Sequence, residues 1–298
     1  MKRTRKKRSL LAAGLLVAAT GAVLSGSAGA QAAEAGQTAE VACGTSFIGQ
    51  EPDGHLSKIV SEAGVISDTY RTADAVPWSL QGLYEIGGAG GGGSWSTSYL
   101  APATDGVLRT LSVRGVEGDP VMAEQSVTVD ADWRAHLMPS GTGFDFYTIE
   151  EDGDILTREV IYGSGGAVEL GDPETLPVRA TDTKAAGIYW IRLEDGTERD
   201  VIYASEKETG ALRQIVVDPE DPASAESHTL AETGFEDFTN LKASYCGDDS
   251  ISLVGVNTDT GDASWFEHAE VLSHSGSTLS TGQALGEAGQ WQGWTGIG

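Results

Sequence analysis

TSYLAPATDGVLRTLSV (residues 97–113) and VIYASEKETGALRQIVV (residues 201–217) align without a gap. Tyr99 falls on Tyr203, Gly106 on Gly210, Leu108 on Leu212, Arg109 on Arg213 and Val113 on Val217. A third stretch, EVIYGSGGAVEL (159–170), puts Tyr162 at the same point and shortens the turn that follows. Each copy is two apolar-rich strands around a glycine turn. A strand-and-turn unit that recurs every ~40–50 residues is the sign of a radial or linear array.

Outward from these stretches, five copies of the unit can be followed. Each contains a strand rich in aromatic and branched residues: Phe47–Gln50, Leu83–Ile86, Phe146–Ile149, Ile188–Ile191 and Leu253–Val256. Such residues suit a pleated, half-buried surface. Four of the strands run into acidic glycine turns, EPDG (51–54), EEDG (150–153), LEDG (193–196) and DTGD (259–262). Glycine after aspartate supplies the positive φ that a tight hairpin needs. In the remaining unit the turn has become GGAGGGG (87–93).

The unit boundary has its own signature. TLAETGFEDFTNL (229–241) resembles ALGEAGQWQGWTGI (284–297), so residues 291–298 read as the opening of a further unit. An unpaired sheet edge invites aggregation, and this partial copy can cover the edge of the first unit. The expectation is an all-β fold, a five-bladed β-propeller closed by pairing of its N- and C-terminal segments. The long second and fourth units leave room for extra strands.

Cys43 and Cys246 fall at comparable places in the first and last units. They become neighbours only if the array closes on itself, which predicts a disulfide; two buried free thiols are the alternative. A loop of roughly 200 residues clamped in this way gains on the order of 5 kcal/mol in chain-entropy terms.

Residues 1–30 read as an export signal. Six basic residues (Lys2, Arg3, Arg5, Lys6, Lys7, Arg8) precede an apolar run from Leu10 to Leu24, and Ala28-Gly29-Ala30 offers a small-residue cleavage site. The apolar run is short and glycine-broken, which argues against a membrane anchor. The expected organisation is a leader over 1–30, a disordered linker over 31–39 and one domain over 40–298, secreted to the extracellular space. The formal charge of −25 deepens by six once the leader is gone. So acidic a surface repels phosphate backbones and anionic lipid, which excludes nucleic acid and membrane insertion.

In layout the chain resembles the five-bladed propeller lectins of the tachylectin-2 type. LAETGFEDFTNLKASYC (230–246) with LVGVNTDTGDASWF (253–266), and FDFYTIEEDGDILTREVIY (144–162), carry the resemblance. The Gly-Trp linker of that family is kept only in part. The resemblance implies a propeller that binds sugars, such as N-acetylated amino sugars, in pockets between blades.

Other motifs yield less. Gly88, Gly90 and Gly93 satisfy GxGxxG, but a strand follows where a dinucleotide site needs a helix, so they read as a hairpin tip. The five histidines are scattered without zinc-site spacing, and the Asn257–Asp262 run lacks the final glutamate of a calcium loop. No cofactor and no metal are expected. No GxSxG elbow occurs, and the acids gather in hairpin turns rather than at single positions of a central channel.

Sugars stack their C–H faces on aromatic rings, so aromatics that break the repeat are the site candidates. Trp190 stands where the aligned units carry Glu85, Thr148, Gly49 and Gly255. Trp95 stands where others carry Arg158 and Arg199, and Trp265 has polar neighbours. Tyr99, Tyr162 and Tyr203 recur, and each can pack its ring while presenting its hydroxyl. The sequence thus leads to a secreted lectin-like propeller that recognises glycans without catalysis. The alternatives are a protein-interaction module with a secreted partner, such as the targeting head of an adhesin or toxin assembly, and a propeller glycoside hydrolase.

Overall fold

Strand follows strand from Gly44 to Asp130 and again from Ser140 to Ala269, and the described residues contain no α-helix. The structure is a computed structural model and describes residues 43–298 apart from 92, 117–120, 136, 164–166, 194 and 248. The leader and linker expected over 1–39 lie outside the described residues.

The strands fall into five consecutive antiparallel groups. The first holds β1 (Gly44–Gln50), β2 (Leu56–Glu62) and β3 (Val65–Arg71). The second holds β4 (Tyr84–Gly91), β5 (Ser94–Pro102), β6 (Leu108–Val116) and β7 (Met122–Asp130). The third opens with the short β8 (Ser140–Thr142) and continues through β9 (Phe146–Ile149) and β10 (Asp154–Arg158). It then interposes a hairpin, β11 (Val160–Tyr162) with β12 (Val168–Leu170), before β13 (Glu174–Arg179) returns to β10. The fourth is β14 (Thr183–Arg192), β15 (Glu198–Glu206), β16 (Leu212–Asp218) and β17 (Asp221–Ala231). The fifth is β18 (Asn240–Gly247), β19 (Ser250–Asn257) and β20 (Asp262–Ala269), with β21 (Gln283–Ala284) added after a loop.

The acidic turns lie where local chemistry puts them. EPDG joins β1 to β2, EEDG joins β9 to β10 and LEDG joins β14 to β15, with Gly54, Gly153 and Gly196 at φ of 89°, 89° and 83°. DTGD joins β19 to β20, so it closes the second hairpin of its group rather than the first. There Asn257 Oδ1 accepts the amides of Asp259 and Thr260, so side chain and backbone together build the turn. The glycine run differs from expectation: Gly88 to Gly91 extend β4 and pair with Ser94 to Thr97, which confines the tip to the residues after Gly91.

β8 lies where four groups meet. It pairs in parallel with β4, β14 and β18, Gly141 standing opposite both Tyr84 and Ile188. A Cβ on Gly141 would come within 1.7 Å of the Ile188 carbonyl oxygen, so only glycine permits this approach. Around this centre Tyr84 meets Phe146 edge-on at 5.1 Å, and both are buried with Tyr147, Ile188 and Ile202. Each such side chain contributes about 1.5–3 kcal/mol by leaving water.

Chain ends and disulfide tie the first group to the last. Ile48 and Gly298 exchange two backbone hydrogen bonds of 2.8 Å, and Gln50 and Thr295 exchange two of 2.9 Å. Cys43 and Cys246 are disulfide-bonded, which settles the sequence alternative in favour of the bond. Trp291, fully buried, packs against Phe47 at 5.4 Å and Trp294 at 5.0 Å, sealing the seam.

Candidate functional site

One strand from each group lines a single cavity of about 420 Å³. Gly44 and Ser46 come from β1, Glu85 from β4, Thr142 from β8 and Tyr189 from β14. Lys242, Ser244 and Tyr245 come from β18, beside the disulfide at Cys246. Alternation along a strand explains the set: Lys242 and Ser244 are two residues apart and so share a face. The pairings through β8 place Glu85 opposite Thr142 and Ile188 opposite Gly141, so Tyr189 stands level with Glu85 across the cavity.

The charges in this cavity do not repeat from group to group. Lys242 is only 4% exposed, and no hydrogen bond or ion pair among the described residues holds its ammonium. Burial lowers its pKa to about 8; Glu85 counters that shift, and Lys58 adds to it. Lys58, half-buried on β2, is likewise lowered by burial and partly restored by Glu85. Tyr189 is pushed up to about 12 by burial first and then by Glu85 and Tyr245. An ammonium of weakened basicity and a phenol pushed upward therefore line one cavity with a carboxylate. Groups so perturbed cluster where proton transfer or charge recognition takes place.

Aromatic rings continue outward from the cavity. Tyr189 and Tyr245 lie 6.4 Å apart, Trp190 stacks alongside Tyr189 at 6.0 Å, and Phe144 meets Trp190 at 5.1 Å. Phe144 is placed by a buried carboxylate. Asp200 on β15 accepts the Phe144 amide at 2.9 Å and the Tyr147 hydroxyl at 2.8 Å. Burial raises Asp200 to about 7, those hydrogen bonds opposing the shift.

Of the six aromatics singled out in the sequence, none lines the cavity itself. Trp190 comes nearest, half-buried and stacked on Tyr189. Tyr162 is 56% exposed, and its hydroxyl donates to the carbonyl of Ile86, next to Glu85. Trp95 lies half-buried under the Lys58 ammonium, 4.1 Å from the ring centroid, in space left by Gly115. The other three are corrected by their burial. Trp265 packs in the core over Gly64, Tyr99 is 5% exposed, and Tyr203 is fully enclosed with its hydroxyl on His268 Nδ1 at 2.8 Å.

The residues that do line the cavity were missed. The repeat alignment sets Trp190 at the position of Glu85, whereas the structure puts Tyr189 level with Glu85, and a slip of one residue exchanges the two faces of a strand. Lys242 escaped because the fifth unit was aligned on 253–256, which is β19 and not the strand beside the cavity.

No protein-family profile matches the chain, and no curated protein matches it. Among solved structures, one similar chain is a β-xylosidase/α-arabinofuranosidase of glycoside hydrolase family 43 from a compost microbial metagenome, in complex with xylotriose and calcium-free. It is 9% identical, covers 72% of this chain and 86% of its own, and has a TM-score of 0.37. Another is a family 43 enzyme from Xanthomonas citri, 15% identical over 84% of this chain and 92% of its own, with a TM-score of 0.33. At these scores no residue of either enzyme is carried onto this chain.

Both are glycoside hydrolases, and neither is a lectin. The expectations of a glycan binder without catalysis and of a chain that is not an enzyme are therefore not kept, while these scores assign no activity to this chain. The acids gather in the hairpin turns, but Glu85 lies outside them, as the one carboxylate lining this cavity.

Proposed function

We propose that this chain is an exported five-bladed β-propeller acting on glycans as a glycoside hydrolase, with Glu85 as the cavity carboxylate of the reaction. Five strand groups around a shared centre, and the layout resemblance to five-bladed propellers, support the architecture. The leader sequence and the Cys43–Cys246 bond support export, since disulfides persist in oxidising compartments.

The observation that carries the activity is that Glu85 and Lys242 line one cavity flanked by rings. Hydrolysis of a glycosidic bond needs one group to accept a proton from water, or to attack the sugar, and another to protonate the departing oxygen. Glu85 fills the first role. Lys242, its pKa lowered by burial to about 8, fills the second. Tyr189 and Tyr245 offer faces for the C–H surface of a sugar.

A panel of chromogenic glycosides tests this reading and should include β-xylosides, α-arabinofuranosides and uronides. At least one should turn over, and Glu85→Gln should lower that turnover by about a hundredfold or more while leaving the fold intact. Absence of turnover across the panel, or an undiminished Glu85→Gln enzyme, would overturn the proposal.

A further inference from the structure

Away from the cavity, the outer strand of the fourth group carries an arrangement that the proposed activity does not use. Glu226 and His228 are two residues apart on β17 and so project to the same side. The loop after β20 folds back over them and brings His274, 46 positions further along, against His228. The two imidazoles lie face to face, 3.9 Å between centroids and 12° from parallel. One ligand atom each from Glu226, His228 and His274 can be chosen so that all three lie within 4.8 Å of one another.

The hydrogen bonds around this cluster leave nitrogen lone pairs available. Gln214 on β16 is fully buried, and its amide Nε2 donates to the Val271 carbonyl at 2.8 Å. Its Oε1 must then accept, and it faces His274 Nδ1 at 2.9 Å. His274 therefore carries its proton on Nδ1 and presents a bare Nε2. This is the outer-partner arrangement that fixes a metal-binding imidazole in one tautomer. His228 Nε2 is buried with no hydrogen bond, and the Glu226 carboxylate stands 3.4 Å from it.

We propose that Glu226, His228 and His274 form a binding site for a divalent transition metal of the zinc class. Two imidazole nitrogens and one carboxylate oxygen suit Zn²⁺ and its neighbours, whereas Ca²⁺ and Mg²⁺ take oxygen donors. Coordination requires the three donors to close to about 3.3 Å from one another around bonds of about 2.0–2.2 Å, and the His228 ring to turn out of its stack on His274, because each nitrogen's lone pair lies in its ring plane. Glu226 is exposed and free to turn inward. A metal held here would staple the loop over 270–278 to β17, the outer strand of its group.

Isothermal titration of the EDTA-treated full-length protein with Zn²⁺ tests the site, with Co²⁺ absorption as a second readout. One equivalent should bind, Co²⁺ should give a visible d–d spectrum, and His228→Ala and His274→Ala should each weaken binding by at least about tenfold. Circular dichroism of the variants separates loss of the site from loss of the fold. Equal Zn²⁺ binding by the wild type and a folded His228→Ala/His274→Ala double variant would assign the metal to the acidic surface and overturn the proposal. So would absence of binding by the wild type.

Discussion

Lys242 on β18 and Glu85 on β4 line the same cavity, yet no ion pair joins them. Glu85 is near enough to raise the pKa of Lys242 and too far to offset the cost of its burial. An ammonium held in this way weakens the folded state. Replacing Lys242 with Met should therefore stabilise the protein while abolishing turnover. A shift from 10.5 to about 8 corresponds to about 3 kcal/mol at neutral pH. The sign follows from linkage: between about pH 8 and 10.5 the unfolded chain binds the extra proton, so the wild type gains stability there as pH rises, whereas Lys242→Met does not. Thermal unfolding of both proteins at pH 7 and pH 10 measures this. A variant less stable than the wild type at pH 7 would show that the ammonium has a partner worth more than its burial costs.

The turn positions were legible in the sequence because they are local chemistry. Asp-Gly at 53–54, 152–153 and 195–196 demands positive φ wherever the chain runs, and the hairpins are found there. The cysteine pairing was legible because the repeat gave the two thiols comparable addresses. Register was not. Trp190 and Tyr189 are both aromatic, so the hydrophobic pattern of β14 does not tell which of them faces inward; the parallel pairing to β8 decides it. β8 itself, in the stretch PSGTG (139–143), has Thr142 as its one branched residue, too little to mark a strand, and is held by its neighbours. His228 and His274 have no motif spacing because the loop between them, and not the helix or strand period, brings them together.

Asp200 gives the clearest pH signature. Its folded-state pKa, about 7, lies above the ordinary carboxylate value of 3.8 because burial disfavours the anion. A carboxyl raised in this way stabilises the fold fully below about pH 4, and that contribution is lost as pH climbs through 7. Asp200→Asn removes the titration while keeping an oxygen to accept the Phe144 amide. The difference in unfolding free energy between variant and wild type should change by a few kcal/mol between pH 4 and pH 8, the variant gaining ground as pH rises. Paired denaturant titrations across that range supply the measurement. A difference independent of pH would mean that the anion is fully satisfied by Tyr147 and the two amides.

Two devices hold the first and last strand groups together, and they are separable. The disulfide spans 203 positions, for which loop entropy gives about 5 kcal/mol. The backbone bonds between β1 and residues 295–298 remain when it is cut. Cys43→Ser with Cys246→Ser should lower the free energy of unfolding by about that amount and leave the near-ultraviolet spectrum of Trp291 and Trp294 unchanged. A loss of both stability and spectrum would show that the seam of aromatic rings forms only under the covalent clamp.

The meeting of β4, β14 and β18 on β8 turns on one residue without a side chain. A methyl group on Gly141 would overlap the Ile188 carbonyl oxygen, and Gly141 has a φ of 144° that L side chains rarely adopt. Gly187 is nearly as confined: its Cβ would stand 2.9 Å from the Ala243 amide nitrogen, where β14 passes β18. Gly141→Ala must push β8 away from β14, and Thr142, two residues before Phe144 and opposite Glu85, moves with it. The variant should fail to fold or should fold with a cavity that no longer aligns Glu85 and Tyr189. Gly196→Ala is the control, because that hairpin glycine also has positive φ, 83°, but nothing stands within 4 Å of the added carbon. Its cost should be the backbone strain alone, about 1 kcal/mol. Equal losses in the two variants, read by denaturant unfolding, would mean that φ and not the crowding at β8 decides the effect, and that the centre of the fold is looser than its contacts imply.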